Sequence, residues 1–188
     1  MKKTKLISTF LAVLTLFMVS CSGGEKKQES KEAAPQGKGQ SAVVDEVSDP
    51  NVLQVAKSLD DFSTLVVAIE AAGVENSLVN AGPLTVFAPV NTAFDKLPEG
   101  TVATLLKPKN KGKLAFILTN HVAPSNYPIK QLRKDAKKGR KLYMASGKYL
   151  VVENKEDGIY VGGTKILKSV KVSNGWIHVI GDVLVPVE

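Results

Sequence analysis

Short β-rich runs separated by tight-turn residues fill the chain from Lys141 onward, and they constrain the fold more than any other feature. Ser146-Gly147, Gly162-Gly163 and Asn174-Gly175 separate several of these runs, and such pairs favour hairpin connections. We therefore predict mostly antiparallel pairing among these strands. The predicted strands are Lys141–Ala145, Tyr149–Glu153, Gly158–Val161, Lys165–Val172, Trp176–Ile180 and Val183–Val185.

Helical patterns precede the strands. Apolar residues recur at helical spacing in residues 52–59, in a segment that opens at Asp60 or Asp61 and stops at Gly73, and in residues 111–120. A short buried strand, Leu84–Ala88, is expected between them and ends at Pro89. Because helices come first and strands later, the sequence predicts the α+β class. The expected helix caps are Asp49, followed by Pro50 in the first turn, Asn91 and Thr101.

The first twenty residues have the layout of a secretory leader. Lysines at positions 2, 3 and 5 precede an apolar run from Leu6 to Val19. A membrane-spanning helix needs about 20 apolar residues, so the spanning interpretation fits this run less well. Met18-Val19-Ser20-Cys21 resembles the bacterial lipobox, with Met18 in place of the usual leucine, and we expect the Cys21 thiol to carry a lipid. An ordinary leader followed by an unmodified cysteine is the alternative.

A polar segment follows Cys21. Residues 22–42 contain no aromatic and no branched aliphatic side chain, so they cannot form a core and are expected to act as a flexible spacer. The predicted organisation is a lipoprotein signal peptide over residues 1–20, a lipid-anchored tether over residues 21–44 and one folded domain over residues 45–188.

Three stretches of the predicted domain resemble the fasciclin family. They are residues 82–94, residues 114–122 and residues 174–180 with their continuation to Pro186, and their order and spacing match the family across residues 47–187. The resemblance implies a compact β-wedge with helices packed around it, mainly from the N-terminal half, and a role in adhesion or extracellular binding. The structural motif residues that it assigns are Thr85, Phe87, Pro89, Asn91, Phe94, His121, His178 and Pro186.

The chain departs from the family pattern at three positions. In matrix-type members, adhesion is attributed to a tyrosine-histidine pair in the second stretch, and Asn120 stands at the tyrosine position here. Adhesion through that pair is therefore not expected. Gly181 stands where aspartate is usual, and Val90 replaces a common threonine.

His121 and His178 are the only histidines of the chain. His121 extends the apolar stripe of its helix, and His178 shares a strand face with apolar neighbours, so we expect buried imidazoles that hydrogen-bond the backbone. A metal site would need a third ligand that the sequence does not mark, and no Gly-x-Ser-x-Gly nucleophile motif occurs. We therefore expect no metal, no cofactor and no enzymatic activity.

Basic residues cluster in two predicted loops. The formal net charge is +7, and three of the lysines lie in the leader, so the rest is only mildly basic and does not indicate nucleic-acid binding. The clusters could form one face that attracts acidic glycans, lipopolysaccharide or anionic lipid, and a solvated surface without a ligand is the alternative. Their members are Lys107, Lys109, Lys111 and Lys113 in the first, and Arg133, Lys134, Lys137, Lys138, Arg140 and Lys141 in the second.

These features predict a non-catalytic, lipid-anchored adhesion or binding domain of the bacterial cell envelope. It would face the periplasm or the cell exterior and bind matrix, polysaccharide or a surface protein. An accessory role, in which the domain positions a protein partner inside the envelope, is the alternative.

Overall fold

The computed structural model describes residues 49–79 and 82–186, so the predicted leader, Cys21 and the predicted tether lie outside the described residues. Its helices are α1 Val52–Lys57, α2 Ser63–Ala72, α3 Glu75–Val79, α4 Asn91–Asp95, α5 Thr101–Leu105, α6 Lys111–Thr119 and α7 Ile129–Lys137. Short 3₁₀ turns at Asp60–Phe62 and Pro108–Asn110 precede α2 and α6. The strands are β1 Leu84–Pro89, β2 Val122–Ala123, β3 Lys141–Tyr143, β4 Tyr149–Lys155, β5 Gly158–Val161, β6 Thr164–Val172 and β7 Gly175–Ile180.

Within the described residues, the strands form one seven-stranded sheet in the order β2-β1-β7-β6-β5-β4-β3. Each neighbouring pair from β3 to β7 is antiparallel, as the turn residues predict. β1 joins the sheet by pairing in parallel with β7 and antiparallel with β2. The predicted α+β class is confirmed, with the helices mainly in the N-terminal half of the described chain.

Two hydrophobic cores lie on opposite faces of β1 and β7. Successive side chains of a strand point to opposite faces, and along β1 this places Val86 in a first core with α1, α2 and α6, and Phe87 in a second core. Leu132 of α7 and side chains of β3 to β6 complete the second core. Because both faces of β1 are covered, all six of its residues are buried.

None of the predicted caps Asp49, Asn91 and Thr101 caps its helix, although α4 begins at Asn91 and α5 at Thr101. Asn51 caps α1: its side chain accepts a hydrogen bond from the Gln54 N–H, and the Gln54 side chain accepts one from the Asn51 N–H. α5 follows Gly100 and has no side-chain cap.

Asn91 stabilises a different helix from the one predicted. It begins α4, and its Oδ1 accepts a hydrogen bond from the Thr64 N–H at 3.0 Å, in the first turn of α2. Its Nδ2 donates to the Asp60 carbonyl at 2.9 Å, so Asn91 ties the start of α2 to the end of β1. At the other end of α2, the predicted stop at Gly73 is confirmed, since Gly73 has a φ of 67°.

Three further expectations differ from the structure. α1 ends at Lys57 and leaves Leu59 exposed, because the chain turns into the 3₁₀ segment there. Val183–Val185 is not a strand, and residues 182–186 form an irregular segment that we call the strap. Three of the six residues of the second basic group lie on α7 and not in a loop, because Leu132 provides that helix with a buried anchor.

Gly175 of β7 is the register partner of Leu84 in β1. A Cβ added there would overlap the Leu84 carbonyl oxygen, a backbone atom that cannot move without disturbing the strand pair. We expect Gly175→Ala to lower the free energy of unfolding by at least about 3 kcal/mol. Chemical denaturation measures this change. Gly112→Ala in α6 is the control, because no atom outside its own stretch of helix lies within 4 Å of its added Cβ, and it should change stability by less than about 1 kcal/mol. Equal losses in both variants would contradict the interpretation.

Candidate binding surfaces

Thr85 and His178 hold both backbone groups of Tyr127, in the segment between β2 and α7. The Tyr127 N–H donates to Thr85 Oγ1 at 2.9 Å, and His178 Nε2–H donates to the Tyr127 carbonyl at 2.7 Å. The Ser169 hydroxyl donates to the other ring nitrogen of His178 at 2.8 Å. Both holding side chains are fully buried. Two adjacent strands of the sheet therefore fix the path of a segment that has no regular structure.

Asn120 and His121 hold both backbone groups of Leu184 in the strap. The Leu184 N–H donates to His121 Nε2 at 2.9 Å, and Asn120 Nδ2 donates to the Leu184 carbonyl at 3.0 Å. Because Nε2 accepts, Nδ1 carries the ring proton, which it donates to the Ile117 carbonyl at 2.8 Å. Asn120 is only 1% exposed, so the residue at the family's tyrosine position is a buried side chain that fixes the strap by a hydrogen bond.

Burial lowers the pKa of both histidines. The pKa of His121 falls to about 4, because loss of solvation for the charged ring outweighs its bond to the Ile117 carbonyl. The pKa of His178 is lowered for the same reason, against the opposing effect of its bond to the Tyr127 carbonyl. Both nitrogens of each ring are already engaged, so neither ring offers a free position for a ligand. Among residues 49–79 and 82–186, no three His, Cys, Asp or Glu side chains are grouped to hold a metal ion.

The other motif residues also lie in the interior or at its margin. Phe87 packs against the His178 ring with the ring centroids 5.4 Å apart, and Pro89 is buried at the end of β1. Phe94 is half-buried against a cavity, and Pro186 borders a groove beside the strap.

The two basic groups lie over different cores. Lys107, Lys109, Lys111 and Lys113 lead into or begin α6, which packs in the first core, and the Lys111 ammonium lies beside Gly73 at the C-terminal end of α2. The second group lies on α7 and at the start of β3, and α7 packs in the second core. Since these cores lie on opposite faces of β1 and β7, we treat the groups as two separate surfaces.

The outer face of the β3–β4–β5 sheet carries exposed tyrosines that no sequence motif marks. Tyr143 and Tyr149 are register partners with ring centroids 5.3 Å apart, and they are 48% and 63% exposed. Val151, which is 51% exposed, pairs with Lys141, and Tyr160 lies on the same face as the register partner of Glu153. We call this surface the tyrosine face. Exposed and buried residues alternate in β3 and in the first half of β4, but the continuous apolar run over residues 149–152 hides this alternation in the sequence.

Charged side chains surround the tyrosine face. The Lys155 ammonium lies 4.2 Å from the centre of the Tyr160 ring, and the Tyr160 hydroxyl donates to Asp157 at 2.8 Å. A hydrogen bond from Lys165 to Asp157 holds the pKa of that carboxyl below its usual value. Beside this face, a groove of about 550 Å³ runs between the Lys148–Val151 segment, the Gly162-Gly163 turn and the strap.

Two apolar cavities lie on either side of Leu118 and His121. The first, about 450 Å³, lies between the α4–α5 region, α6 and the strap, and we call it the α6 cavity. The second, about 340 Å³, lies between β1 and helices α1 to α3. None of the described helices has the length and apolarity needed to cross a membrane.

Comparison with known proteins assigns a family to this architecture. Residues 60–186 match the family model for the fasciclin domain. Protein sll1483 of Synechocystis is 40% identical over 150 residues, which cover 78% of this chain and 81% of that protein. The pig transforming growth factor-beta-induced protein ig-h3 is 38% identical over 139 residues, 72% of this chain but 19% of that protein. A fasciclin domain pair from the insect cell adhesion molecule fasciclin I shares the fold at a TM-score of 0.52 and 19% identity, covering 65% of this chain and 44% of that one.

The burial of His121 predicts acid sensitivity, because burial lowers its pKa. Its pKa is about 4 when folded and 6.5 when unfolded, so the unfolded chain binds more protons between these values. The stability from the neutral ring is fully present above pH 6.5 and should fall by about 3 kcal/mol as the pH drops to 4. His178 acts in the same direction, so His121→Gln should reduce the pH dependence without abolishing it. Denaturation of both proteins across this range measures the difference, and parallel pH profiles would contradict the prediction.

Proposed function

Since the chain belongs to the fasciclin domain family, we propose that it is a non-catalytic adhesion or binding domain held at the bacterial cell envelope by a lipid on Cys21. The proposed ligand is an acidic polysaccharide of the cell surface or matrix. Its site is the tyrosine face with the neighbouring lysines. An accessory role toward a protein partner is the other candidate, and the same experiment separates the two.

The exposed tyrosine pair is the observation that carries the proposed ligand. A side chain as large as tyrosine usually buries much of its ring, yet Tyr149 is 63% exposed in a regular strand. Tyrosine provides rigid, amphipathic contact area, and grouped exposed apolar surface is typical of interaction sites. A pyranose ring has apolar C–H faces that can lie against such rings and hydroxyl groups that can bond to the phenol oxygens.

Charge favours an acidic sugar over a neutral one. Lys141 lies on the same face as Tyr143, and Lys148 borders the adjoining groove. Neither lysine forms an ion pair among the described residues, so both ammonium groups can contact a carboxylate or sulfate. The acid closest by register, Glu153, is bridged by Lys155 at 3.5 Å, which reduces its repulsion of an anionic ligand.

Anchoring through Cys21 supports this role in a simple way. Each buried methylene of an acyl chain contributes about 0.8 kcal/mol, and more than one chain gives lasting attachment. A polar spacer of about 20 residues would reach roughly 25 Å, enough to keep the domain clear of the lipid head groups.

A titration of the full chain against alginate, a polymer of uronic acids, tests the ligand. Tyr149→Ala and Lys141→Glu should each weaken binding about fivefold or more, by removing ring contact and by reversing one charge. Binding should also weaken as salt rises, because exposed charges are screened over about 10 Å at 0.1 M.

The matched control is Lys134→Glu, which makes the same charge change on α7. That helix packs against the opposite face of β4, so Lys134→Glu should weaken alginate binding by less than about twofold. If Lys134→Glu weakens binding as much as Lys141→Glu while Tyr149→Ala does not, the ligand binds α7 and the tyrosine face is the wrong site. Absence of binding at low salt would shift the proposal to a protein partner.

Cys21→Ala tests the anchor separately. We expect the wild-type chain in the membrane fraction and the variant in the soluble fraction, because the thiol that would accept the lipid is gone. Ser22→Ala is the control and should leave the distribution unchanged. An unmodified cysteine in the intact mass of the wild-type protein would contradict the proposed anchor.

A further inference from the structure

The α6 cavity has the wall of a hydrocarbon-binding site. Phe94, Leu105, Ile117 and Val183 line it from α4, α5, α6 and the strap. Its volume of about 450 Å³ falls within the range of roughly 300–1,000 Å³ that is typical of clefts for small ligands. Contact with such a wall removes apolar ligand surface from water, which favours binding of a hydrocarbon chain.

Few polar groups on this wall could recognise a sugar or a nucleotide. Asn110 lies there, but its Nδ2 already donates to the Thr104 carbonyl at 2.6 Å. The threonines at 101 and 104 offer single hydroxyl groups. For a ligand rich in hydrogen-bonding groups, the free-energy cost of desolvation would therefore exceed the gain from hydrogen bonds to this wall.

Positive charge collects at the same place. Lys113 lines the cavity, and Lys107 and Lys109 adjoin the lining residues Leu106 and Asn110 in sequence. All three lysines are exposed, and none of them is ion-paired in the part of the chain that the structure describes. Glu99 is the only carboxylate among the described lining residues, so the wall itself carries one cation, Lys113, and one anion. Lys107 and Lys109 add positive charge beside the wall.

We infer that the α6 cavity binds a single-chain anionic amphiphile, with its hydrocarbon chain against the apolar wall and its carboxylate at Lys113. A free fatty acid has this chemistry. The site is separate from the tyrosine face and does not depend on glycan binding. The first basic group would thus bind a different ligand from the polysaccharide proposed above.

Native mass spectrometry of the full chain titrated with palmitate tests this inference, because it counts bound ligands per protein molecule. We expect one palmitate per chain at saturation. Lys113→Glu should weaken binding about tenfold by replacing attraction with repulsion, and hexadecanol, which lacks the carboxylate, should bind the wild-type chain about tenfold more weakly than palmitate. Leu105→Trp, which places a larger ring on the cavity wall, should abolish the single stoichiometric site.

Lys134→Glu is the matched charge control and should bind palmitate like the wild-type chain. Thermal denaturation must show that the Leu105→Trp variant folds. If that variant does not fold, Lys113→Glu still tests the inference, because it changes an exposed side chain. Absence of a stoichiometric complex would overturn the inference. Equal binding by the wild-type chain, Lys113→Glu and Lys134→Glu would overturn it as well, because it would indicate adsorption elsewhere.

Discussion

Two irregular segments of this domain are fixed to its helices and strands by hydrogen bonds from buried side chains. In each segment, two side chains bond to both backbone groups of one residue. Thr85 and His178 hold Tyr127, and Asn120 and His121 hold Leu184. Without these partners, the held N–H and carbonyl groups would lose their hydrogen bonds at sites where water has little access, at a cost of about 1–3 kcal/mol each. The strap and the segment before α7 therefore have fixed positions although neither belongs to the sheet. All described buried side-chain polar atoms have a hydrogen-bond partner, which fits this organisation.

Local periodicity was enough to predict α2, α6, β1 and the strands of the C-terminal region, because each has an apolar pattern bounded by glycine, proline or a turn pair. The two-residue strand β2 and the five-residue α3 were too short to produce such a pattern. The cap at Asn91 was misassigned for a tertiary reason: Asn91 has the right chemistry for a cap, but it stabilises α2, a helix that precedes it by nearly thirty residues. The strap has a β-like composition, yet the backbone groups of Leu184 bond to the side chains of Asn120 and His121 instead of to a neighbouring strand.

For the candidate sites, the sequence predicted which residues are buried more successfully than it predicted which residues form a binding surface. Both histidines were expected to be buried because their neighbours on the same helix or strand face are apolar. They are buried because both faces of the central strands are covered. The basic groups were visible in the sequence, but their separation was not, because it depends on which core each helix joins. The tyrosine face was missed since its residues come from three strands, and they meet only through the register of those strands.

The interior role of Asn120 bears on where a ligand can bind. A residue that is 1% exposed cannot contact a macromolecular partner without local unfolding, and releasing it would also free Leu184 and the strap. The Asn120-His121 pair therefore contributes to binding indirectly: it fixes the strap, which lines both the groove beside the tyrosine face and the α6 cavity. Val183 and Val185 belong to both linings, so one hydrogen-bonded tie positions parts of two chemically different surfaces. Conditions that weaken the tie, such as protonation of His121, would disturb both surfaces together, whereas substitutions on the outer face of β4 would affect the tyrosine face alone.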